Sequence, residues 1–400
     1  MYNYDLTDLF NARNTVAIRL EEIIKKRGYM KSSLCKKAGI SRPTLDKLLN
    51  GGPSSKLPYV KHITKLLGVF EITPNELMTG IEYPYSYAKS IRCLLGEDLE
   101  EISCETEISI EELKDIEAGK DVPLQDLRDL AFYLGSSVNG ITGNAYFQIQ
   151  IANLGSFVGN DSTSIRSPGG YWGHIGLRIT GQDKYMWFPV TEFTRNQVKE
   201  GLDQQFLGIP CMDNTLLLVH CKYIEELIFL PEESSPKSEM DWHDNVNCGE
   251  VPPVVYESFA DYVAYKDSTF DSSVFGLSKK MIAALDAFVA DEKLNPDEFD
   301  YEMHIATLFF PSGRTASYDL VFDTPDDAVD FVFAVRSIYE GGDLLGVNNF
   351  CLSCDDGLES YIQVKQVAMI KLPLAQVEKL ILDDFAQSKA DEDFYEEDED

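Results

Sequence analysis

No apolar run in this 400-residue chain approaches the roughly 18 residues a membrane helix needs. The opening MYNYDLTDLFNARN also lacks the charged-then-apolar layout of a secretory signal, so a cytoplasmic, membrane-free protein is expected. Cysteine is scarce. The eight thiols, at positions 35, 93, 104, 211, 221, 248, 351 and 354, are too scattered for a disulfide scaffold, and reduced, mostly buried thiols are expected. Catalytic signatures are missing too. There is no HExxH for metal-assisted proteolysis and no GxxxxGK[ST] for cradling nucleotide phosphates. Cys351 and Cys354 have zinc-like spacing, but no second pair follows, and buried strand thiols are the plainer reading. Asp241, His243 and Cys248 fall in a polar stretch, and His174 and His304 open strands as ordinary satisfied histidines. The chain is therefore expected to have no catalytic residues, no cofactor and no metal.

Positive charge is the other shortage. The net charge of −32 alone argues against nucleic acid, because phosphate binding relies on Lys and Arg. The charge is not uniform, however. Residues 1–80 hold 13 Lys and Arg against 7 Asp and Glu, leaving 22 basic and 60 acidic residues for the rest. One basic N-terminal module can bind DNA locally while the acidic remainder suppresses non-specific sticking.

That module has a legible pattern. In TVAIRLEEIIKKRG the apolar residues Val16, Ile18, Leu20, Ile23 and Ile24 predict a helix, with Thr15 as its N-cap and Gly28 as its stop. From Lys31 to Gly51 the chain reads helix, tight turn, helix. Leu34 and Ala38 pack inward, Gly39 permits a left-handed turn, Ile40 plugs the junction, and Ser41 caps a second helix with Pro43 in its first turn. Leu45, Leu48 and Leu49 then face the core. Leu34 to Gly51 resembles the Cro and phage-repressor (Xre-type) helix-turn-helix family, with Cys35 at a usual alanine and Lys31 at a usual glutamine. PYVKHITKLLGV and TPNELM supply the fourth and fifth helices of such a domain. The resemblance implies an operator-binding transcription regulator whose helix over residues 42–50 enters the major groove.

With the leucines buried, that helix exposes Arg42, Pro43, Thr44, Asp46 and Lys47. Arg42 and Lys47 suit guanine O6 and N7, and Pro43 or the Thr44 methyl suits a thymine methyl, so Arg42, Pro43, Thr44 and Lys47 are the base-contact candidates. Lys31, Ser41, Asn50 and Lys56 suit phosphates and would fix register without reading sequence.

A second, acidic copy follows. Leu34, Ile40, Ser41 and Gly51 recur 68 positions later as Ile102, Ile108, Ser109 and Gly119. Ile110, Glu111, Glu112 and Asp115 replace the four base-contact candidates, and residues 81–143 carry 5 basic against 14 acidic side chains. Such a surface repels phosphate, so packing or self-association is expected of it, with docking of another protein as the alternative, rather than DNA reading.

From Tyr146 the text changes to short β-rich runs, among them HIGLRI, KYMWFPV, TLLLVHC, HIATLFF and SYDLVF. The region looks duplicated: His174 and Gly181 match His304 and Gly313, and Asp213 through Pro231 resembles Asp355 through Pro373 at an offset of 142. The expected organisation is α+β multidomain: an all-α five-helix helix-turn-helix domain (1–80), a degenerate copy (81–143), and two β-rich domains of SH3-like or Sm-like barrel type. The β-rich domains are placed at 144–230 and 254–385, joined by a linker (231–253) and followed by a disordered acidic tail (386–400). As function, a repressor is expected, acting on double-stranded operator DNA as a homodimer with an effector or partner at its C-terminal region. Two other readings stand beside it: an antitoxin-like or phage-defence interaction protein with an autoregulating head, and an enzyme with a regulatory DNA-binding head.

Overall fold

The structure is a computed structural model in which residues 6–26, 31–53, 55–79, 88–95, 97–147, 171–232, 234, 237, 240–242, 246–298, 303–320, 322, 325–341, 349–354 and 358–397 are described. The chain forms two compact units, one running through Val122 and the other beginning at Pro123.

In the first unit, α1 (Leu6–Asn11) and α2 (Arg13–Lys26) precede α3 (Lys31–Ala38), α4 (Arg42–Leu49), α5 (Lys56–Phe70) and α6 (Pro74–Thr79). Thr15 was expected to cap a helix, yet it lies inside α2, and the additional helix α1 makes six helices among the described residues where five were expected. Gly28 falls outside the described residues. Helix α1 belongs to the core: Leu9 is fully buried, and Phe10 meets the Tyr59 ring edge-on at 5.6 Å. Leu20, Leu34, Leu45, Leu48, Ile63 and Phe70 fill the same core, one apolar stripe from each of the larger helices. Gly52, at φ +75°, lies against this core, where a Cβ would come within 2.5 Å of the Tyr59 ring.

The pattern then recurs. After α7 (Ala88–Leu95), α8 (Leu99–Thr106) and α9 (Ile110–Glu117) span the segments 68 residues beyond α3 and α4, residue for residue. Gly39 (φ +56°) has Glu107 (φ +65°) at its matching turn, and Gly51 (φ +87°) has Gly119 (φ +70°). Arg92 of α7 is only 3% exposed and joins the two halves of this unit. Its guanidinium grips Glu117 (Nε–Oε1 2.5 Å, Nη2–Oε2 3.2 Å), Glu71 beyond α5 (Nη2–Oε2 2.6 Å, Nη1–Oε1 3.2 Å) and the Glu97 carbonyl (3.3 Å).

The second unit opens with α10 (Leu124–Tyr133) and α11 (Val138–Thr142). The boundary expected at 143 therefore moves to 122/123, because α10 is held by later helices: Arg128 pairs with Asp261 (2.5 Å) and donates to the Phe275 carbonyl (2.7 Å). Ten strands follow among the described residues: β1 (Tyr171–Ile179), β2 (Met186–Thr191), β3 (Phe206–Pro210), β4 (Thr215–His220), β5 (Ile224–Pro231), β6 (Ile305–Phe309), β7 (Thr315–Asp319), β8 (Asn349–Cys354), β9 (Leu358–Gln363) and β10 (Met369–Pro373). Helices placed among the described residues of this part include α12 (Glu192–Gly201), α13 (Pro253–Lys266), α14 (Lys279–Ala290), α15 (Pro325–Gly341) and α16 (Leu374–Glu397).

The suspected duplication appears as a repeated order, strand-strand-helix-strand-strand, a 3₁₀ turn, then a strand, with 3₁₀ turns at Cys221–Tyr223 and Val364–Gln366. An irregularity in the β1–β5 register at Arg178/Ile179 accommodates the extra residue of β5, which explains why the turns are 143 residues apart but the Leu-Pro pairs 142. The matching hairpin turns touch, since a Cβ on Gly181 would lie 2.6 Å from the Gly313 nitrogen.

The copies are not separate domains as expected. β4 of the first pairs with β10 of the second, giving a seven-stranded sheet β3-β4-β10-β6-β7-β8-β9 beside the three-stranded β2-β1-β5. Among the described residues no pairing closes either set into a barrel. β4 reads as an unbroken apolar run because both its faces are covered: Leu216 and Leu218 enter the core with α15, and Leu217 and Val219 enter the core beneath β1 and β2. The segment expected as a disordered tail continues α16 through Glu397. The linker expected at 231–253 is short of regular structure in its described part, and His243 lies outside the described residues.

Candidate nucleic-acid interface

The α3–turn–α4 geometry follows from local chemistry. Gly39 sits at φ +56°, where an L side chain would be strained, and the Ile40 N–H donates back to the Cys35 carbonyl (3.1 Å) to close α3. Lys65 of α5 donates to the Gly39 carbonyl (2.9 Å), bracing the turn from 26 residues away. Ser41, in extended conformation, accepts from the Thr44 N–H (3.3 Å) and shares a hydrogen bond with the Thr44 hydroxyl (2.8 Å). Pro43 in the first turn has no N–H to lose. Leu45, Leu48 and Leu49 are buried, which turns the opposite face of α4 outward.

On that face Arg42, Pro43 and Lys47 are exposed and Thr44 is half-buried. Arg42 and Lys47 pair with no other described residue, so both cationic heads are available to a ligand. The phosphate candidates are more engaged. Lys31 lies 3.6 Å from Asp46 of α4, Lys56 donates to the Thr7 hydroxyl (3.0 Å), and the Asn50 amide donates to the Asp46 carbonyl (2.8 Å) as part of the helix end. The Ser41 hydroxyl is spent on its cap. Of these, only the two surface lysines can swing to a phosphate without dismantling a helix terminus. Lys65 was not anticipated from sequence, because a contact 26 residues apart leaves no local signal.

The matching end of α9 is built for the opposite charge. Ser109 and Glu112 form a reciprocal capping box, Ser109 N–H to Glu112 Oε2 at 3.1 Å and Glu112 N–H to Ser109 Oγ at 3.2 Å. The Ser109 hydroxyl and amide hold the Glu112 carboxyl below its usual range, so the first turn of α9 stays anionic.

The family model of the Cro/C1-type HTH DNA-binding domain matches residues 19–82. The first unit thus carries a Cro/C1-type DNA-binding domain, and α3 and α4 are its helix-turn-helix. The match ends before α7, so the acidic repeat lies outside it. No curated protein and no solved structure matches the chain.

Elsewhere the expected bystanders are placed as follows. His174 is buried, with Nδ1 2.9 Å from the Tyr171 hydroxyl and Nε2 2.8 Å from the Asn247 carbonyl, and burial pushes its pKa down. Cys351 is buried in β8. Among the described residues no three His, Cys, Asp or Glu side chains are grouped to hold a metal, and no helix is long and apolar enough to cross a membrane.

Proposed function

We propose that the protein is a sequence-specific transcription regulator, a repressor, that reads operator DNA with α4 and acts in the cytoplasm as a homodimer. The observation carrying this reading is the face of α4 with exposed Arg42, Pro43 and Lys47 and half-buried Thr44 inside a Cro/C1-type domain. Arg42 and Lys47 donate to guanine edges, Pro43 and Thr44 meet thymine methyls, and Lys31 and Lys56 move from their present partners to phosphates. Ser41 and Asn50 contribute through the helix ends they hold. A single eight-residue helix gives few base contacts, so two protomers on half-sites about one helical turn apart supply the remaining specificity.

The helices α7 to α11 are read as a degenerate second copy that does not touch DNA, since Glu111, Glu112 and Asp115 occupy the positions of Pro43, Thr44 and Lys47. The second unit senses an effector or holds protomers together, and no catalytic step is assigned to it. Selection of bound sequences from a random duplex pool, with wild type and with Arg42→Ala/Lys47→Ala, tests the reading. Wild type should enrich a near-palindromic site that the double variant fails to enrich. If neither enriches any sequence the regulator reading fails, and if both enrich the same one the base-contact assignment is wrong.

A further inference from the structure

The interior strand β10 carries an unexpected residue. Its sequence Met-Ile-Lys-Leu-Pro is apolar except for Lys371, which is exposed between buried neighbours. Across the sheet Lys371 is flanked by Leu217 of β4 and Thr307 of β6. Its ammonium is the one charge on an otherwise apolar strand. Lys371 forms no ion pair or hydrogen bond with any described residue. It borders a cavity of about 440 Å³ whose wall includes Asp213, Asn247, Tyr256, Lys293 and Thr307.

Asp213, in the β3–β4 turn, is the complementary group. Its Oδ1 is buried without a hydrogen-bond partner. Burial pushes its pKa up, while the nearby Lys371 ammonium and the Thr215 hydroxyl pull it down. Lys293 is already engaged with Glu250 (3.4 Å). The cavity wall therefore holds one uncommitted cation and one uncommitted carboxylate oxygen, close enough to sense each other but not paired.

We propose that this cavity binds a small zwitterion with adjacent carboxylate and ammonium groups, a free α-amino acid, its carboxylate on Lys371 and its ammonium on Asp213 Oδ1. Asn247 and Thr307 offer further hydrogen bonds, and Tyr256 provides an aromatic wall for the side chain. The site deepens the regulator reading by giving its sensing unit a ligand class, and it rests on that reading only for its consequence at DNA.

Calorimetric titration of the full chain with each of the twenty free L-amino acids tests the site without DNA. At least one should bind. Lys371→Met and Asp213→Asn should each weaken it about 10- to 100-fold, the loss of one charge-assisted contact, while Lys371→Arg should retain binding. The matching α-hydroxy acid and the decarboxylated amine, each lacking one charge, should bind at least about 10-fold more weakly. Unchanged tryptophan emission in the variants establishes that they fold. The proposal is overturned if no amino acid binds, if the folded variants bind as wild type does, or if a singly charged analogue binds equally. If the amino acid binds as expected but affinity for the selected duplex does not move, the site stands and the regulatory role of the second unit falls.

Discussion

Replacing Arg92 by Met should unfold the first unit far more easily, and the contacts around it set the size of the effect. The Glu117 carboxylate is only 12% exposed and is held by two guanidinium bonds, whereas Glu71 is 42% exposed and largely solvated. Screening limits the Glu71 arm to about 1 kcal/mol or less. Stranding Glu117 without its cation costs about 3–5 kcal/mol, because a nearly buried charge is left uncompensated. Arg92→Met should therefore lose about 3–5 kcal/mol, and Arg92→Met/Glu117→Gln should recover about half of that by removing the stranded charge. Urea titration can assign the loss to one unit: Trp172, Trp187 and Trp242 all lie in the second unit, so tryptophan emission follows that unit while far-UV circular dichroism follows both. A loss below about 1 kcal/mol, or an equal shift of the tryptophan transition, would refute the assigned role of Arg92.

Gly52→Ala should cost about 3 kcal/mol in the same titration, since the new methyl meets the Tyr59 ring at 2.5 Å and the backbone is left-handed. At Gly39 the nearest atom to a new Cβ is 3.7 Å away, and Gly39→Asn should cost about 1 kcal/mol or less, as the tolerated Glu107 at the matching turn implies. Tyr59→Phe should be neutral or stabilising by up to about 1 kcal/mol, because the buried Tyr59 hydroxyl has no partner; a loss of that size would reveal one. In the second unit, burial pushes Glu257 up to about 8 and Glu378 up to about 7, from 4.5. Folded-state values above the unfolded ones mean that the stability these groups lend is complete below the unfolded value and lost as pH rises through about 7 and 8. The tryptophan-reported transition should therefore come at higher urea near about pH 5 than near about pH 9, and Glu257→Gln should flatten the difference.

What the sequence made legible was local. The α3–turn–α4 motif could be read because each of its devices, the left-handed Gly39, the capping Ser41 and the leucine stripe, lies within one turn of the feature it controls. The repeat at 68 residues was legible for the same reason, and it matched α8 and α9 end to end. Thr15 misled because its local cap propensity lost to the chain continuing from α1, whose Leu9 and Phe10 pack on α5. The order of the duplicated strands was partly visible, but the pairing of β4 with β10 joins residues about 150 apart and leaves no local pattern. The helix α15 was missed because PDDAVDFVFAVRSIYEG is rich in Val and Phe, which local preference assigns to strands. At the interface, residue types identified which side chains suit DNA, but not that Lys31 faces Asp46 or that Asn50 closes its own helix.

The most direct test compares binding of the selected duplex by wild type, Arg42→Ala/Lys47→Ala and Glu111→Ala/Asp115→Ala across a range of salt, each against an unrelated duplex. The account predicts that the α4 variant loses about 2–6 kcal/mol of discrimination, the worth of two guanine contacts. The α9 variant should discriminate as wild type does. Discrimination retained by the α4 variant, or lost by the α9 variant, would contradict the claim that α4 alone reads the DNA.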